Sequence, residues 1–103
     1  MSIYMSHFTK EEALNEYETL ADQLRNGQLE WYDYWQTLSM REGFEDGTWN
    51  LSADDRSRLD ELDAIVRKHL LPTVDKHKRT EEYHNLGKHR PAEYWWWHLG
   101  VTA

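Results

Sequence analysis

Apolar residues in this chain recur at helical spacing rather than in the alternation of strands. In FTKEEALNEYETLADQLRNG, Leu14, Tyr17, Ala21 and Leu24 share one face, with Ala13 and Leu20 widening it, which predicts a helix over 10–26. Thr9 followed by Glu12 is a capping-box start, and Gly27 supplies the stop. A second helix is expected over 30–42, with Leu29, Trp35 and Leu38 near one face and Trp31 and Tyr34 beside it. The short Asn26-Gly27 connection predicts antiparallel neighbours.

EGFEDGTWNLS then breaks the pattern. Asp46-Gly47 is turn chemistry, and Phe44, Trp49 and Leu51 are expected to pin the loop to the core. Ser52, with Asp55 three residues on, caps a third helix whose stripe is Leu59, Leu62, Val66 and Leu70, with Ile65 and His69 alongside. Pro72 is expected to end or kink it, because proline lacks the amide donor and clashes with the preceding turn. A short polar helix from Pro72 to about Asn85, with Gly87 as its stop, and a last helix from Pro91 to Gly100 complete the reading. The fold class is therefore all-α: a single helical domain over 1–103, a compact bundle of four to five helices with an aromatic-rich core.

Trp95, Trp96 and Trp97 strain that picture. On an α-helix three successive residues fan across roughly 200°, wider than one core-facing stripe. Trp95 shares a side with Leu99 and is the expected inward face. At least one of Trp96 and Trp97 is then expected to project outward, covered by the Phe44–Trp49 loop, a second copy in a homodimer, or a partner. Lys88 or Arg90 is placed to lie over a ring face.

Composition supports a folded chain. The 103 residues include six Trp, six Tyr and two Phe, too many aromatics for a disordered segment. No run of about 18 apolar residues is present, so no transmembrane helix is expected, and no signal peptide is visible at the N-terminus. The absence of cysteine excludes disulfides, thiolate metal sites and cysteine nucleophiles, and fits a cytoplasmic protein.

The net charge of −7 is unevenly spread. Residues 1–66 carry fifteen acids against five bases, while residues 67–103 carry seven bases against four acids and five of the six histidines. The basic segment 67–90 offers a nucleic-acid reading, but direct nucleic-acid binding is disfavoured by the acidity of the first 66 residues. His77, Glu81 and His84, at i, i+4 and i+7, form a possible metal-ligating set on the fourth helix. No second such motif accompanies them, and no cofactor is expected. No nucleophile elbow and no glycine-rich phosphate loop is present, so no catalytic residue is assigned.

Aromatics set among acids carry the functional expectation. Glu30, Trp31, Tyr32, Asp33 and Tyr34, together with Glu45, Asp46, Trp96 and Trp97, are the predicted partner-binding residues. Trp and Tyr bring large contact area at low entropic cost, and adjacent acids steer a basic partner. In size, charge and composition the chain resembles the small acidic inhibitors among bacterial toxin-immunity proteins and phage-encoded antagonists of host enzymes. That resemblance implies a non-catalytic protein that occupies a basic site on another protein, such as a toxin or a nucleic-acid-handling enzyme.

Overall fold

The computed structural model describes residues 8–29 and 31–100. Four helices follow in order: α1 (Lys10–Arg25), α2 (Trp31–Glu42), α3 (Ala53–Lys76) and α4 (Thr80–Gly87). A 3₁₀ turn, Trp95–Trp97, comes last, and no strand occurs among the described residues.

Both expected capping boxes form. The Thr9 hydroxyl accepts from the Glu12 amide at 3.1 Å while Glu12 accepts from the Thr9 amide at 3.0 Å. Ser52 and Asp55 make the same reciprocal pair, both at 3.1 Å. Lys10 adds a 2.7 Å ion pair to Asp55. The Lys10 bond and the Ser52 amide together hold the Asp55 carboxyl down at about 2. A depressed carboxyl stabilises the fold above its unfolded value, near 3.8, and that contribution is lost as pH falls toward about 2. Asp55→Asn is therefore expected to lower stability at pH 7 and to flatten the acid limb below pH 4. Thermal melts between pH 2 and 7 check this, and an unchanged acid limb would contradict it.

The helices are arranged up, down, up. Arg58, early in α3, reaches Glu11, Asn15 and Glu18 of α1, while Thr73, near the end of α3, donates to the Leu24 carbonyl. α1 and α3 therefore run parallel. α2 runs against both: Arg41 meets Asp63, and Glu45, just beyond the helix, meets Arg56. The expected antiparallel packing of α1 and α2 is thus present. Ala13, Leu14, Tyr17, Leu20, Ala21 and Leu24 form the buried face of α1. Leu59, Leu62, Val66, Leu70 and Val74 line α3, and Phe44 and Trp49 fold in from the loop.

Three expectations need correction. First, Pro72 neither ends α3 nor marks its last turn, because the helix continues to Lys76. Thr73 and Val74 are buried just beyond the proline, and their packing outweighs its missing hydrogen bond. The true stop is His77–Arg79. Lys78 adopts a left-handed conformation (φ 59°), its amide donates to Asp75, and the Arg79 amide donates to Val74. This is the hydrogen-bond pattern of a Schellman cap with lysine where glycine is usual. Gly27 (φ 72°) closes α1 in the same way.

Second, the inward stripe of α2 is Tyr34, Thr37, Leu38 and Arg41, with Trp35 only half-buried. Third, the chain after Pro91 is not an α-helix. Ala92 and Glu93 turn, and the tryptophans form the 3₁₀ turn. Trp96 and Trp97 are 1% and 0% exposed, while Trp95, the expected inward residue, is half-buried. This segment packs as a strap between other elements and so has protein on more than one side. The Trp96 indole donates to the Leu38 carbonyl of α2 at 2.9 Å. The Tyr83 hydroxyl of α4 donates to the Trp96 carbonyl at 2.7 Å and accepts from the Leu99 amide at 3.0 Å. Arg67 of α3 lies over Trp95, its guanidinium carbon 3.8 Å from the ring centre. Arg90 does cover a ring, that of Trp97, at 4.8 Å.

Candidate acidic interface

Those sequence-predicted binding residues whose side chains the structure describes do not form one surface. Glu30 and the side chains of Trp31, Tyr32 and Asp33 lie outside the described residues. Tyr34 is fully buried, and Trp96 and Trp97 are core, so these three present no exposed aromatic face. Glu45 and Asp46 lie past the far end of α2, about 18 Å along the helix axis from Trp31 at the 1.5 Å rise per residue.

Glu45 and Asp46 instead belong to a cluster reached through the C-terminal strap. Tyr94 is half-buried and stacks on Trp96, with ring centres 4.9 Å apart and planes 21° from parallel. Its hydroxyl is pushed above the ordinary tyrosine value by burial and by the negative charges of Glu42, Asp46, Glu93 and Glu45. Carboxylates from the end of α2, the following loop and the strap thus act electrostatically on one aromatic hydroxyl. Asp46 is held by an Asx turn, accepting from the Thr48 amide at 2.9 Å and its hydroxyl at 2.6 Å. Glu42 faces Arg90 at 3.7 Å, and burial raises its carboxyl above the usual value against the pull of that arginine.

The cluster is anchored from inside. Arg41 is 1% exposed, and its guanidinium donates to both carboxylate oxygens of buried Asp63, at 3.0 and 2.8 Å. Tyr17 donates to the same carboxylate at 2.7 Å. Burial alone would lower the Arg41 value; the bond and charge of Asp63 reverse this and keep it charged. Burial, with the Asp63 charge beside it, pushes the Tyr17 hydroxyl well up. The guanidinium also lies 4.5 Å from the centre of the Trp96 ring and donates to Glu45 at 2.9 Å. Arg56 reaches the same Glu45 oxygen at 3.2 Å. A chain of contacts from Tyr17 through Asp63 and Arg41 therefore ends on a carboxylate at the surface.

Sequence reasoning passed over Tyr94, Glu93, Arg41 and Asp63. The signal for the first two was present in AEYWWW, where Glu93 and Tyr94 directly precede the triplet. For Arg41 and Asp63 no local signal exists, because each is buried only by virtue of the other.

The other candidate chemistries fare differently. His77 caps the end of α3, whereas Glu81 and His84 lie on α4, so the helix break separates the three expected ligands. No group of three or more metal-ligating side chains occurs among the described residues. Of the seven bases over 67–90, Arg67 and Arg90 cover indole rings, Arg79 faces Glu82 at 3.9 Å, and Lys76 donates to the Gly27 carbonyl. Much of the basic segment is thereby engaged within the fold. No described helix is long and apolar enough to cross a membrane. The chain matches no known protein family, no curated protein and no solved structure.

Proposed function

We propose that this chain is a non-catalytic binding module that occupies a basic site on another protein, in the manner of an inhibitor or an immunity-type antagonist. One observation carries the reading: Tyr94 stacks on buried Trp96, and its hydroxyl feels the negative charges of Glu42, Asp46, Glu93 and Glu45. A tyrosine held rigid by stacking loses little entropy on association, and the exposed carboxylates of Asp46 and Glu93 complement lysine and arginine on a partner. The buried Arg41–Asp63 pair holds Glu45 in place before binding, which reduces the ordering cost of the complex. The cytoplasm, and a partner such as a toxin or a nucleic-acid-handling enzyme, belong to the same proposal, as does the absence of a cofactor.

The test is kinetic. Charge reversal at Asp46 and Glu93, both exposed, is expected to slow association with the partner and flatten its salt dependence, with the melting temperature lowered only by the loss of the Asp46 turn contacts. Tyr94→Ala is expected to act on dissociation, costing about 2 kcal/mol as a hot spot does. Surface plasmon resonance at several salt concentrations separates the two effects. Association rates that do not respond to either reversal would remove the acidic cluster from the interface.

A further inference from the structure

A cleft of about 410 Å³ lies between the C-terminal half of α3 and α4, lined by Leu71, Pro72, Asp75, Thr80 and His84. A second, of about 290 Å³, shares His84 with it and is lined further by Gly87, Lys88, Trp97 and His98. The first alone is of the size that small-molecule sites occupy, roughly 300–1,000 Å³, and the shared His84 places the second beside it. Neither includes a side chain of the acidic cluster.

The walls are chemically unequal. Leu71 and Pro72 supply apolar surface at one end. Asp75 stands beside them, but its carboxylate already accepts from the Thr80 hydroxyl at 3.2 Å. Lys88 brings an exposed ammonium group to the second cleft, whose wall also holds the imidazoles of His84 and His98. The His98 Nε2 lies 3.1 Å from the Arg90 carbonyl and 3.0 Å from that of Pro91, so this nitrogen must carry the proton and the ring is held in place. Between them α4 closes directly on the strap at Gly87, where a Cβ would run into the Trp97 carbonyl. An occupant is therefore oriented by charge. Asp75 repels a negative head at one end, and Lys88 attracts it at the other.

We propose that this cleft binds a small amphiphilic anion: a carboxylate, sulfonate or phosphate head at Lys88, with an apolar ring or chain against Leu71 and Pro72. The probe of choice is 8-anilinonaphthalene-1-sulfonate, with the uncharged N-phenyl-1-naphthylamine as its neutral counterpart, titrated by fluorescence into the folded protein. The sulfonate is expected to bind saturably at one equivalent and at least tenfold more tightly than the neutral probe. Lys88→Glu is expected to weaken sulfonate binding tenfold or more and to leave the neutral probe unaffected. Pro72→Glu returns an amide donor to α3 while placing a charge on the apolar wall. It is expected to weaken both probes with no loss of melting temperature, which keeps the test sound should Lys88→Glu fold poorly. Binding that is unsaturable, or unchanged in both variants, would overturn the proposal.

Discussion

Asp63→Ala is expected to destabilise the protein by about 3–5 kcal/mol, because it strands the Arg41 guanidinium at 1% exposure without its counter-charge. A domain of ordinary stability has about 5–15 kcal/mol in total, so this single change takes a large share of it. The loss comes from an unpaired buried charge rather than from the intrinsic worth of the pair. Replacing both partners with apolar residues of similar volume, Arg41→Met with Asp63→Leu, is accordingly expected to recover the part due to the stranded charge, but not the part due to the Tyr17 hydroxyl, which loses its acceptor in either variant. Tyr17→Phe removes one hydrogen bond to a charged acceptor and is expected to cost about 1.5–3 kcal/mol. Urea unfolding checks all three through the midpoint, with the slope unchanged. A double variant as unstable as Asp63→Ala would show that the pair contributes something beyond mutual neutralisation.

Trp96→Ala is the second large effect, expected at about 3–5 kcal/mol. The substitution empties a fully buried site, leaves the Leu38 carbonyl without its indole donor, and removes the ring on which both Tyr94 and Arg41 rest. Trp97→Ala, equally buried, is expected to be nearly as severe. Trp95→Ala is expected to cost only about 1–2 kcal/mol. Its indole sits edge-on to Trp96 at the rim under Arg67, and a cation–π contact at such a site is worth about 0.5–1 kcal/mol. Thermal or urea melts of the three single variants give the ranking. Trp95→Ala as the worst of the three would restore an α-helical phase for this segment and contradict the strap.

That ranking reverses what the sequence alone predicts, and the reason is local. Reading the triplet as part of an α-helix on one core forces an indole outward; a 3₁₀ turn enclosed by α2, α3 and α4 does not. Elements with strong local signals were legible: α1 and α3 begin at the Thr9 and Ser52 boxes, and α1 closes at Gly27. The break at 77–79 was not legible, because lysine rather than glycine takes the left-handed position and Pro72 offered a more conventional stop. The stripe of α2 is legible only at Leu38 and Tyr34, for a related reason. Hydrophobic periodicity discards an arginine, and only the approach of Asp63, 22 residues away in the chain, makes Arg41 an interior residue. The candidate site was half legible. Glu45 and Asp46 stood out as acids beside an aromatic loop, but Glu93 and Tyr94 join them only through the tertiary path of the strap.

The most direct test of the proposed binding role is a comparative capture from a lysate of the source cell. One arm uses the wild-type chain as bait; the other uses a double variant with Asp46→Lys and Glu93→Lys, shown by circular dichroism to keep its helical fold. Mass spectrometry of the retained proteins is expected to give a basic partner held by the wild type, released by raised salt and absent from the variant. Identical retention by both baits, or a partner held only by the variant, would contradict an acidic interface built around Tyr94.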